Sequence, residues 1–137
     1  MVHGAISVSY THLSSLGNIT LMRGQASDSF TYQMKRSQLA LPRRIHDMNF
    51  YKALELVSES KCDMLILDEV LDAYQMGLID PDAFENFVKN KPKALELVLT
   101  GHMAEGWILE RADYISEMVK KKHPYDAGIK ARAGIEF

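Results

Sequence analysis

Met64-Leu65-Ile66-Leu67-Asp68-Glu69 decides how the rest of the chain reads. Four consecutive apolar residues follow a polar break at Glu59-Ser60-Lys61 and end in two acids. Such a run is too short for a helix and fits a strand covered on both faces in a parallel sheet. Upstream, Met48, Tyr51, Leu54, Leu56 and Val57 approximate helical spacing, which predicts a helix ending near residue 58. Downstream, Asp80-Pro81 opens another helix, because an Asp side chain caps free amides and proline fits the first helical position. Phe84, Phe87 and Val88 share one face of that helix, and Lys91-Pro92 ends it. Leu95 to Thr100 is a second strand, Trp107-Ile108-Leu109 a further helix, and Asp113-Tyr114-Ile115-Ser116 a short third strand. Alternating helices and strands imply right-handed crossovers and an α/β fold, a parallel sheet with flanking helices. Chemistry in such sheets gathers at the carboxyl ends of the strands, so Asp68, Glu69, Thr100, Gly101 and His102 are the positions to watch.

Composition is that of a globular domain: 137 residues, 47% hydrophobic and 25% charged, enough to bury a real core. The formal net charge of −2 gives no global attraction to nucleic acid or anionic membrane, and Lys120-Lys121-Lys122 is the one basic run. No apolar stretch approaches the ~20 residues needed to cross a bilayer, and the N-terminus lacks the pattern of a secretory signal. The expectation is a cytoplasmic protein without nucleic-acid or membrane partners. The single cysteine, Cys62, has no internal disulfide partner and reads as structural, and the eight methionines suit core filling.

An apolar strand ending in Asp-Glu resembles a Walker B element, whose carboxylate holds Mg²⁺ and aligns nucleotide phosphates. Acids at strand ends also cap helices or solubilise loops, so Leu65 to Glu69 alone assigns nothing. The order of four segments does more: CDMLILDEVLDAY (Cys62 to Tyr74), ELVLTGH (Glu96 to His102), LERADYISEM (Leu109 to Met118) and KKHPYDAGIKARAGIEF (Lys121 to Phe137). Together they resemble the P-loop ATP:corrinoid adenosyltransferases over roughly residues 45–137. That family has a Walker B strand, a strand leading to Thr-Gly-Arg, an Ala-Asp-x-(Val/Ile)-(Ser/Thr)-Glu-Met segment and a Lys-His-x-(Tyr/Phe)-Asp-x-Gly tail in this order. The tail is the most specific part, since no general folding rule demands it.

The resemblance implies a P-loop NTPase-like fold, usually dimeric, that binds MgATP and transfers its 5′-deoxyadenosyl group to the cobalt of a reduced corrinoid, releasing triphosphate. By position it makes Glu69 the candidate Mg²⁺ ligand, with Asp68 beside it as a second carboxylate or hydrogen-bond acceptor. Thr100 and Gly101 would sit near the phosphates. His123 and Asp126 would help close the site or order the tail, and packing of the tail alone explains those two equally well.

Two departures qualify the resemblance. His102 stands where the family has arginine, and an imidazole lacks the two-pronged fixed charge that suits phosphate oxygens. The Walker A loop is also missing from this sequence: none of its eight glycines is followed by lysine, and the first lysine is Lys35. Residues 1–44, rich in Ser, Thr, Gln and Arg, are weakly specified beside residues 45–137. Val8-Ser9-Tyr10-Thr11-His12 is what a DNA string resembling a sequencing-library transposon end encodes, so an assembly artefact is one reading of this segment. An ordinary polar N-terminus is the other. The expected function is thus corrinoid adenosyl transfer, impaired in this chain. The alternative is a non-catalytic nucleotide- or corrinoid-binding module that lost its P-loop.

Overall fold

The structure, a computed structural model, describes residues 12–22 and 40–132. Its first long element is helix α1, Ala40–Ser58. Pro42 lies in the first turn, where a helix needs no N–H from it. Phe50, Ala53 and Val57 recur at helical spacing and form the buried stripe, while Met48 and Tyr51, expected on that stripe, are 62% and 49% exposed. The helix stops at Ser60, which adopts left-handed backbone with φ 55°. There the Ser60 amide donates to the Val57 carbonyl at 3.0 Å and the Lys61 amide to Leu56 at 2.9 Å, which satisfies two of the last carbonyls.

Strand β1, Met64–Leu67, follows, then the short helix α2, Val70–Gln75, and helix α3, Pro81–Asn90. Gly77, with φ 67°, turns the chain out of α2 in the left-handed conformation glycine adopts without strain. Helix α3 begins as its sequence demands: Asp80 Oδ1 accepts the Ala83 amide at 3.1 Å and Pro81 occupies the first position. The same aspartate ties α3 to α1. Its amide donates to Asp47 Oδ1 at 2.7 Å, and Tyr51 donates its hydroxyl to Asp80 Oδ2 at 2.9 Å. Exposed Tyr51 thus serves as a strut between helices rather than as core.

Strand β2, Glu96–Leu99, pairs parallel to β1 in the register Met64 with Glu96 through Leu67 with Leu99. Parallel strands need a crossover, and α2 and α3 provide it. A short helix, α4, Gly106–Leu109, closes the packed body. Phe84 is its centre at 0% exposure, with the rings of Tyr74, Phe50 and Trp107 at 5.0, 6.1 and 6.4 Å. Tyr74 donates to Glu85 Oε1 at 2.8 Å, and burial, followed by that hydrogen bond, pushes its hydroxyl up to about 12. Lys89 pairs with Glu85 at 2.6 Å and lies over the Trp107 ring at 5.0 Å.

Two expectations are corrected. The apolar run in β1 is not covered on both faces: Leu65 is buried and Leu67 half-buried, but Met64 and Ile66 are 54% and 59% exposed. Leu97 and Leu99 join the covered side and Val98 the open one. Among the described residues the helices cover one face of a two-stranded sheet. Nor is Asp113 to Ser116 a third strand. These residues are irregular, with Tyr114 95% and Ile115 61% exposed. Two apolar side chains between polar ends gain too little from burial to hold a third ladder when neither face is covered. Among the described residues no helix is long and apolar enough to cross a membrane.

Candidate functional site

The parallel register sets Asp68-Glu69 beside Thr100-Gly101-His102 at the carboxyl ends of the two strands. These five residues line an open cleft of about 250 Å³. The ladder continues one step past the strands, with the Thr100 amide donating to the Leu67 carbonyl at 3.2 Å. Beyond it the Thr100 hydroxyl joins the two chain segments. It donates to Asp68 Oδ1 at 2.7 Å and accepts the Glu69 amide at 2.8 Å. The Leu71 amide then donates to the Thr100 carbonyl at 3.2 Å, anchoring the start of α2 to the same residue.

Glu69 itself holds left-handed backbone, φ 54° and ψ 21°, immediately before α2. A non-glycine residue there costs ~1–2 kcal/mol, and the bonds through Thr100 are what maintain it. Gly101 is needed for a different reason. A Cβ at that position would lie 2.6 Å from Leu71 Cβ and 2.9 Å from Asp72 Oδ2, so only glycine lets the second strand end approach α2 so closely. His102 completes the rim: its amide donates to Asp72 Oδ2 at 3.0 Å, and its Nδ1 lies 3.1 Å from Asp72 Oδ1.

Asp68, Glu69, Thr100 and Gly101 are therefore brought together, whereas His123 and Asp126 are not among the residues lining the cleft. They shape the tail instead. His123 Nδ1 accepts the Tyr125 amide at 3.1 Å and caps a 3₁₀ turn, Pro124–Ala127, which ends at Gly128 with φ 77°. Asp126 accepts from Lys120 Nζ at 2.7 Å. Asp72 was not among the residues the sequence singled out. The available signal was its place on the first turn after the strand-end acids, where its carboxylate faces back toward the neighbouring strand end.

As to a metal, no group of three or more His, Cys, Asp or Glu side chains among the described residues is arranged to hold one. A closed protein cage of the zinc kind is thus not what these residues build. Mg²⁺ with a nucleotide asks for less, one or two carboxylates with water and phosphate oxygens completing the shell, and adjacent exposed Asp68 and Glu69 suit that demand.

A parallel pair of strands ending in carboxylates and Thr-Gly, joined by a helical crossover, defines an α/β protein with a cleft at the strand ends. The family model for the ATP:corrinoid adenosyltransferases BtuR/CobO/CobP matches residues 7–137, and the chain belongs to that family. The match begins well upstream of residue 45. A corrinoid adenosyltransferase of Sinorhizobium sp. is 40% identical over 87 residues, 63% of this chain and 41% of that protein. Those of Pseudomonas aeruginosa and Escherichia coli K12 are 33% and 31% identical over 85 residues each, 62% of this chain and 42% and 43% of theirs. The chain thus aligns with less than half the length of these relatives.

Proposed function

We propose that this chain supplies the Walker B side of a corrinoid adenosyltransferase with a P-loop NTPase-like fold. In that reaction the cobalt of a reduced corrinoid, already a strong nucleophile, attacks the 5′ carbon of ATP. A cobalt–carbon bond forms, the carbon–oxygen bond breaks, and triphosphate leaves with the electron pair. The protein's task is to hold the reacting centres in line and to balance the leaving charge. The observation that carries the reading is the Thr100 hydroxyl, which locks the Asp68 carboxylate and the Glu69 backbone into one rigid strand-end unit. In it Glu69 holds Mg²⁺, Asp68 is the second carboxylate, and Thr100 and Gly101 lie beside the phosphates. When bound, Mg²⁺ supplies positive charge against the triphosphate. His123 and Asp126 order the tail.

Because the sequence contains no Gly-Lys pair, phosphate binding by these 137 residues alone is weak and their activity impaired. We further place the intact enzyme in the cytoplasm as a homodimer, on the family resemblance.

The test is a chimera in which a family-type segment carrying Gly-x-Gly-Lys-Thr precedes residue 45, assayed without oxygen with MgATP and reduced corrinoid. The expected result is adenosylated corrinoid with stoichiometric triphosphate, and turnover about 10- to 1000-fold lower in Glu69→Gln. Full activity in that variant contradicts the role of Glu69. A folded chimera that binds corrinoid without transfer favours a non-catalytic module, and release of ADP an unrelated ATPase.

A further inference from the structure

A threonine at the end of a strand beside two acids invites the reading that its hydroxyl donates to a phosphate. In this chain that hydroxyl is already committed. A carboxylate oxygen only accepts hydrogen bonds and a backbone amide only donates them. The Thr100 hydroxyl therefore gives its single proton to Asp68 Oδ1, at 2.7 Å, and receives the Glu69 N–H, at 2.8 Å. No hydrogen is left for a phosphate oxygen, which is itself an acceptor. The two acids are in the opposite condition. Among the described residues neither Asp68 Oδ2 nor the Glu69 carboxylate has a protein partner.

Both of the threonine's bonds act on direction. One holds the Asp68 carboxylate by a single oxygen and leaves the other for a ligand. The second supports Glu69 in left-handed backbone, φ 54° and ψ 21°, from which a residue with a side chain relaxes once support is lost, re-aiming that side chain. We propose that Thr100 is a positioning residue for a divalent cation, acting through Asp68 and Glu69, and that its hydroxyl makes no contact with the nucleotide phosphates. The inference rests on the reading of these two acids as the metal carboxylates. Asp68 and Glu69 are exposed, so water replaces a lost bond at little cost to the fold. What Thr100 contributes is the aim of two carboxylates that a cation must meet together.

The experiment titrates the ¹⁵N-labelled 137-residue chain with Mn²⁺ alone, following the paramagnetic broadening of backbone amides by NMR, and repeats the titration on Thr100→Val and Thr100→Ser. In the unmodified chain the Asp68 and Glu69 amides broaden first. Valine keeps the shape and removes the hydroxyl, so Thr100→Val is expected to need about three- to tenfold more Mn²⁺ for the same broadening, while Thr100→Ser stays within about twofold of the unmodified chain. An unchanged Mn²⁺ requirement in Thr100→Val overturns the proposal, and so does a loss in Thr100→Ser as large as in Thr100→Val. If Thr100→Val binds Mn²⁺ normally but loses affinity for magnesium tripolyphosphate, the hydroxyl is a phosphate contact and the proposal falls. Where Thr100→Val does not fold, the unmodified chain decides: the Glu69 amide exchanges slowly with solvent if Thr100 holds it, and more slowly with Mg²⁺ added. Fast exchange at that amide, or exchange indifferent to Mg²⁺, overturns the proposal alone. Mn²⁺ broadening that does not favour Asp68 and Glu69 in the unmodified chain overturns it together with the metal reading.

Discussion

At the carboxyl ends of β1 and β2, position is set from several directions at once: a parallel register, a threonine bridging two backbone segments, a glycine packed against α2 and a carboxylate gripping the far rim. From residue 110 to 132, by contrast, every residue is exposed, and bonds such as His123 to Tyr125 and Lys120 to Asp126 join near neighbours. Met118 is 99% exposed and Tyr125 74%. Yet the tail carries the segment on which the family resemblance of the sequence most depends, and the strand ends carry a motif of a commoner kind. Packing and sequence specificity are thus distributed differently along the chain. The strand ends are what the fold must hold still, and the tail is what the fold alone does not explain.

The contrast breaks most readily at its extremes. Phe84→Ala, at the 0% exposed centre of the aromatic cluster, is expected to cost ~3–5 kcal/mol in urea unfolding, while Tyr114→Ala stays within ~0.5 kcal/mol. A tail substitution as damaging as the core one would erase the distinction. Gly101→Ala comes next, at ~1–3 kcal/mol, because Leu71 and the start of α2 must shift to admit a methyl group. Loss of the His102 amide's protection from hydrogen exchange in the same variant would show the shift reaching the rim.

Glu69→Gly sharpens the comparison in the opposite sense. Removing a side chain from left-handed backbone is expected to leave stability unchanged or raise it by up to ~1 kcal/mol in the same unfolding assay, although it deletes the candidate metal ligand. That result would fit a residue placed for the proposed site rather than for the fold, and a loss of stability would show that the Glu69 side chain serves the fold itself. The smallest effect concerns acid stability. The Ala83 amide, then the Tyr51 hydroxyl, hold the Asp80 carboxyl below its ordinary value. Its contribution is complete above the unfolded value near ~4 and is lost as pH falls through the lower folded one. Asp80→Asn should therefore flatten the acid limb of the stability curve below about pH 4 and leave its shape near neutrality unchanged. An unaltered acid limb would remove Asp80 from the account.

Much of the body was legible in the sequence because its signals are local. Asp80-Pro81 states a helix start by capping chemistry, Lys91-Pro92 an end, and Met64 to Leu67 and Leu97 to Leu99 pair as expected. What the sequence obscured depended on neighbours. A continuous apolar run does not say whether one or both faces are covered, so Met64 and Ile66 read as buried and are not. Tyr51 matched the helical period yet works as a polar strut to Asp80. At the site, the meeting of Asp68, Glu69, Thr100 and Gly101 followed from the rule that strand ends gather in a parallel sheet. Asp72 did not, because its partner His102 lies 30 residues away and only the folded register joins them.

The central claim, that the strand-end pair holds a metal–nucleotide complex, is most directly tested by replacing Mg²⁺ with paramagnetic Mn²⁺. Titrating the labelled chain with MnATP is expected to broaden the amide signals of Asp68, Glu69, Thr100 and Gly101 before those of residues 110–132, and Glu69→Gln should abolish this selectivity. Broadening that begins in the tail, or that is indifferent to the Glu69 substitution, would contradict it.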